Sequence, residues 1–172
     1  MDLKSYIREV PDYPKPGILF YDITTLLSNA DAFRESVDRM YELVKDYRID
    51  KVVGIESRGY IFGAPLALKL NASFVPIRKP GKLPSKIISE SYSLEYGTST
   101  LEMHEDAIKA GENVLLVDDL FATGGTTVAA KTLVEKLKGN VAAIVYLIEL
   151  DFLNGRKKLE GYNVHSVLHY DK

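Results

Sequence analysis

The segment Val114 to Thr127, VLLVDDLFATGGTT, constrains the fold more than any other stretch of the chain: an apolar run, two adjacent carboxylates, then a Thr-Gly-Gly-Thr-Thr turn that opens an amphipathic helix. An apolar run without alternation is a strand buried on both faces. Gly124 and Gly125 let the backbone turn tightly and bring N–H groups close to an anion, while Thr123, Thr126 and Thr127 add hydroxyl donors. The positive end of the following helix dipole completes a phosphate site. Asp118 and Asp119 would repel a phosphate that they faced, so they suit a sugar diol or a share in holding Mg²⁺. A phosphorylated sugar satisfies both halves of the motif. An ordinary Thr-capped turn beside solvated aspartates accounts for the parts but not for their combination. The segment has neither the GxxxxGK of a Walker A loop nor the GxGxxG of a dinucleotide site.

The rest of the chain supplies a setting for that motif. Phe33, Val37, Met40, Tyr41, Val44 and Tyr47 recur at helical spacing, which predicts an amphipathic helix over Asp31 to Arg48. Strands are predicted at Val52 to Ile55, Ser73 to Ile77, Val114 to Val117 and Val141 to Leu150, and helices at Gly59 to Leu70 and Thr126 to Lys138. Buried strands separated by helices imply an α/β domain with a mainly parallel, twisted sheet and helices on both faces. Ligands of such sheets sit beyond the carboxyl ends of the strands, here Glu56 to Gly59 and Asp118 to Thr127. Two stretches break the alternation. Pro11 to Gly17, PDYPKPG, must be a rigid loop. Arg78 to Met103 starts with the basic RKPGKLP and continues through β-prone SYSLEY and TSTLEM, a long excursion ending in a hairpin and a candidate lid.

Composition narrows the partners. The 172 residues fit one domain, and 22 basic against 24 acidic residues give a net charge of −2, which offers no global field for nucleic acid or anionic lipid. There is no cysteine, and His104, His165 and His169 are the only histidines, so a metal would be a hard cation held through oxygens. No apolar run approaches membrane-spanning length and the N-terminal segment lacks a signal-peptide core. A cytoplasmic protein acting on small molecules, and not on nucleic acid or membrane, is expected.

The strand, acidic pair and TGGT-type loop resemble the phosphoribosyl pyrophosphate (PRPP) motif of the type I phosphoribosyltransferases, and the resemblance to the adenine branch runs from about Arg8 to Leu150. It implies that Asp118 and Asp119 meet the ribose hydroxyls and that Ala122, Thr123, Gly124, Gly125 and Thr126 hold the 5′-phosphate. ESRGYIFG, Glu56 to Gly63, places Arg58 at a strand end where the family supports pyrophosphate; on the residues alone, Arg58 could instead pair with Glu56. The resemblance also implies a flexible catalytic lid over residues 78–103, with Arg78, Lys79 and Lys82 toward pyrophosphate. In that lid Glu95 handles a proton at the base and Tyr96 closes the pocket. Arg58 and Lys82 join Glu95 as the expected catalytic residues.

PDYPKPGILFYDIT, Pro11 to Thr24, resembles the base-binding hood of the adenine branch, expected over residues 1–30 of a single domain spanning 1–172. The resemblance implies that backbone groups of Leu19 and Tyr21 read the purine edge, with Phe20 and Leu120 as apolar contacts. Tyr21 stands where many relatives have a basic residue, and Phe121 where many have a smaller aliphatic one. The implied reaction transfers phosphoribose from PRPP to adenine, giving AMP and pyrophosphate, as in purine salvage. The resemblance further implies Mg²⁺ carried mainly by PRPP, without a direct protein ligand, in a homodimeric enzyme. Other purines (guanine, hypoxanthine, xanthine) and a PRPP-sensing regulator are the competing possibilities; the absence of an added DNA-binding segment or basic surface excess weighs against the regulator.

Overall fold

The structure is a computed structural model that describes residues 1–94 and 96–172. The chain forms two compact units, Met1–Arg39 and Met40–Lys172. The first opens with a 3₁₀ turn and contains an antiparallel pair, β1 (Arg8–Pro11) and β2 (Leu19–Asp22), followed by the one-turn helix α1 (Thr24–Leu27). Leu3, Ile7, Tyr21, Ile23, Leu26, Ala32 and Val37 are its buried apolar residues. The PDYPKPG loop joins β1 to β2, and Asp12 and Gly17 within it adopt positive φ.

Helix α2 (Ala30–Val44) carries the chain from the first unit into the second. Ala32, Ser36, Val37, Met40 and Val44 are buried at helical spacing, as the apolar stripe requires. The helix stops four residues short of the predicted Arg48. A turn replaces the last part, with Tyr47 N–H donating to Val44 C=O at 3.1 Å and the Tyr47 hydroxyl engaged 2.9 Å from His165 Nε2.

A five-stranded sheet organises the second unit. In chain order its strands are β3 (Lys51–Ile55), β4 (Ser73–Ile77), β7 (Asn113–Phe121), β8 (Asn140–Leu150) and β9 (Val164–Tyr170), all parallel, in the spatial order β4-β3-β7-β8-β9. Helix α3 (Arg58–Lys69) connects β3 to β4, and α4 (Gly125–Lys136) connects β7 to β8. The two crossovers leave the centre in opposite directions, so right-handed connections put the helices on opposite faces. The order reverses between β3 and β7, and their carboxyl ends frame the crevice where α/β sheets bind ligands. The core joins Val53, Ile55, Leu116, Leu133, Ile144 and Tyr146 across sheet and helices.

The predicted excursion is a hairpin, β5 (Ile87–Ser93) against β6 (Thr98–His104), fixed to the sheet edge by a bridge between Arg78 and Glu102. Strand β7 runs on through the acidic pair to Phe121, four residues beyond the predicted end, because β8 continues to pair with it as far as Glu149.

Candidate active site

The end of β3 and the end of β7 deliver the charged groups. Asp119 is buried and receives the Arg58 Nε–H at 2.5 Å, so the carboxylate of one strand is paired with a guanidinium at the start of α3. Arg58 thus takes Asp119 as an ion-pair partner, while Glu56 pairs with Arg78 and Lys82. Gly59 makes this approach feasible: a Cβ there would lie 2.9 Å from Val117 C=O and 3.1 Å from Asp118 Oδ1. Asp118 Oδ1 accepts the Asp119 N–H at 2.8 Å. Burial first, and the adjacent Asp119 charge second, raise the Asp118 carboxyl well above the ordinary range. A hydroxyl donor or a cation arriving at Asp118 would relieve that cost.

These groups line a cleft of about 380 Å³ together with Ile55, Glu56, Ser57, Lys79, Lys82, Tyr92, Leu101 and Thr126. The Glu56–Ser57 peptide in its wall is cis. Glu56 is the residue that the sequence left without a role. Its side chain is only 7% exposed, and it accepts from Arg78 NH2 and Lys82 Nζ, each at 2.9 Å, and from the Lys79 N–H at 2.9 Å. Burial opposes ionisation, yet these donors hold the carboxyl down at about 2. The signal was its place at the end of a buried strand; its partners lie 22 to 26 residues downstream and only the fold brings them together.

The phosphate loop follows. Gly124 adopts φ +92° as the cap of α4, a conformation that a side chain would strain. Leu120, Ala122, Thr123, Gly124 and Thr126 line a smaller hollow of about 70 Å³ with Asp118. Gly155 lies beneath, where a Cβ would meet Ala122 C=O at 2.7 Å, so a segment beyond β8 supports the loop. Thr126 donates to the Tyr92 hydroxyl at 3.2 Å, a hairpin contact that sequence reasoning missed. Thr127 lines the same hollow but is buried, and its hydroxyl is hydrogen-bonded to Tyr146, whose ring stacks on Phe121 at 4.7 Å. Phe121 is thus part of the core beneath the loop.

Tyr96 is 80% exposed at the hairpin turn and is not among the residues lining the cleft. Glu95 lies outside the described residues. In the first unit, Val10, Tyr13, Phe20, Asp22 and Thr24 line a hollow of about 290 Å³. Tyr13 meets Phe20 edge-on at 5.1 Å. Thr24 donates to Asp22 through hydroxyl and N–H, and Arg8 pairs with it at 2.6 Å, lowering its carboxyl to about 2. Tyr21 is buried and Leu19 is exposed.

Among the described residues, Glu149, Asp151 and His169 also approach one another. Glu149 is already clamped by Arg156 at 2.8 and 2.9 Å and by Ser166 at 2.7 Å, so its charge is compensated by protein groups. No helix among the described residues is long and apolar enough to cross a membrane.

A parallel sheet with an acidic pair, a Gly-Gly loop and clustered cations at its reversal point marks out a class of protein suited to a phosphorylated sugar with a second anionic group. Residues 22–167 match the phosphoribosyl transferase domain. The chain is 59% identical to the adenine phosphoribosyltransferase of Brachyspira hyodysenteriae over 99% of its own length and 100% of the relative's, and 56% identical to that of Koribacter versatilis over 99% and 93%. Its fold superposes on adenine phosphoribosyltransferase from Thermoanaerobacter pseudethanolicus with a TM-score of 0.96 at 50% identity, covering 98% of each chain. The Saccharomyces cerevisiae enzyme, solved with adenine and an imino-altritol bisphosphate, gives 0.91 at 42% identity over 97% of each chain. This chain belongs to the phosphoribosyltransferase family, and within it to the adenine phosphoribosyltransferases.

Proposed function

We propose that this protein transfers the phosphoribosyl group of PRPP to adenine, releasing AMP and pyrophosphate, a pentosyl transfer of purine salvage. The observation that carries the proposal is the cleft in which Asp118, Asp119, Arg58, Lys79 and Lys82 converge beside the Gly124–Gly125 loop. The 5′-phosphate is assigned to the backbone N–H groups of Ala122 to Thr126 and to the hydroxyls of Thr123 and Thr126. Asp118 and Asp119 accept from the ribose hydroxyls. Pyrophosphate is assigned to Arg58, Arg78, Lys79 and Lys82, whose charge is worth most as the C1′–O bond breaks and negative charge moves to the leaving group.

The ring oxygen shares the positive charge that develops at C1′, as in glycoside hydrolysis. A base nitrogen forms the new bond to C1′ and loses its proton, for which Glu95 is the proposed acceptor, with Tyr96 closing the pocket. Backbone groups of Leu19 and Tyr21 are proposed to read the N6 donor and N1 acceptor of adenine, with Phe20 and Leu120 as apolar contacts. Bound Mg²⁺ would neutralise and polarise the pyrophosphate oxygens. The donor set fits such an ion: Asp118 is an undercompensated carboxylate, while Asp119 and Glu56 are committed to cationic side chains, so the substrate oxygens supply most of its ligands. A homodimer in the cytoplasm is part of the proposal, supported by the family resemblance.

Incubating the protein with adenine, PRPP and Mg²⁺ should yield AMP and pyrophosphate in equal amounts. If no AMP forms while PRPP alters a DNA gel shift, the regulator alternative takes its place.

A further inference from the structure

We propose that Glu56 is a positioning residue for the leaving group: its buried carboxylate fixes Arg78, Lys79 and Lys82 as a preformed pyrophosphate cradle. This rests on the transferase reading and extends it to a side chain whose oxygens are already committed to protein donors. Both Glu56 oxygens are occupied by the basic segment. Oε1 accepts from Arg78 Nε at 3.2 Å, Arg78 NH2 at 2.9 Å and Lys82 Nζ at 2.9 Å; Oε2 accepts from the Lys79 N–H at 2.9 Å. A carboxylate in a pyrophosphate site is repulsive unless cations outnumber it. Here two cationic side chains and a backbone N–H meet one carboxylate, leaving the cluster net positive before Lys79's own charge is counted.

The arrangement also leaves donors for a ligand. A guanidinium has five N–H groups and an ammonium three, of which Glu56 takes two and one. Lys82 remains 48% exposed and Arg78 35%, while Glu56 is nearly covered. The carboxylate thus serves as an internal anchor, and the cations present their outer sides. Arg78 is held a second time by its backbone pairing with Glu102, and the Gly81 N–H donates to Glu102 Oε1 at 3.0 Å. A flexible basic segment is thereby ordered before substrate arrives, so ordering it is not charged against binding or against the transition state.

The test uses the full chain with Mg²⁺-pyrophosphate and PRPP as probes. Glu56→Gln keeps size and burial but removes the charge. It should weaken equilibrium pyrophosphate binding and kcat/KM for PRPP by about tenfold or more, while KM for adenine stays within about twofold. Glu56→Asp keeps the charge one methylene short and should give an intermediate loss of about threefold in both. A purely structural role would lower thermal stability and disturb adenine and PRPP alike; that pattern overturns the proposal. So does wild-type pyrophosphate affinity in folded Glu56→Gln or, where that variant does not fold, in Glu56→Asp. Failure of the wild-type protein to form AMP would instead refute the transferase reading on which the proposal rests.

Discussion

Burial and the Asp119 charge push Asp118 well above its ordinary range, so the ligand-free site holds a carboxylate that ionises at a cost. A folded-state pKa above the unfolded one contributes stability that is present below about pH 4 and is lost as pH rises through the folded value. Asp118→Asn should therefore raise thermal stability relative to wild type by a margin that widens as pH increases from about 4 to neutrality. Thermal melts across that range check it, and a margin that is flat with pH would contradict the assignment. Changing both Asp118 and Asp119 to Asn should keep the fold and reduce kcat/KM for PRPP by about 10²-fold or more. The two roles proposed for Lys82 and Glu95 separate by kinetics. Lys82→Ala should lower kcat more than PRPP affinity, because its charge matters most as pyrophosphate departs. Glu95→Gln should slow the single-turnover rate by about 10²-fold with PRPP affinity unchanged. Wild-type single-turnover rate in Glu95→Gln would remove Glu95 from proton transfer.

Among the elements, α3 sits against the site only because its second residue is Gly59. A methyl group there would press on Val117 C=O and Asp118 Oδ1, moving the helix start or the carboxylate. Gly59→Ala should cost about 1–3 kcal/mol of stability and weaken PRPP binding, measured by denaturant unfolding and equilibrium binding. The strands β3, β7 and β8 were legible because parallel strands buried on both faces read as unbroken apolar runs, and the edge strand β4 because its short apolar stretch is β-prone. Strand β9, VHSVLHY, was not, since two histidines and a serine interrupt it and most of its residues are only half-buried. The β1–β2 pair was hidden by the same prolines that made its loop legible. The hairpin was legible from β-prone runs, but its docking was not. Lys136 reaches Ser89 C=O at 3.0 Å and Glu90 at 2.7 Å, and Tyr92 meets Thr126, contacts between segments more than 30 residues apart.

For the molecule as a whole, the acidic pair and the Gly-Gly loop were legible as one strand-to-helix segment because their residues are adjacent in the chain. The cation cluster was legible only as a run of charge; that Arg58 serves Asp119 while Glu56 gathers Arg78 and Lys82 follows from the β3-β7 reversal point. Base choice is proposed to rest on the hood, where backbone polar groups would match adenine and a 6-oxopurine would leave buried groups unpaired. Kinetics with adenine and hypoxanthine, each at saturating PRPP, test this central claim most directly. Formation of AMP with a kcat/KM about 10⁴-fold above that for hypoxanthine is the predicted result. Comparable efficiency with the two bases, or no nucleotide from adenine, would contradict it.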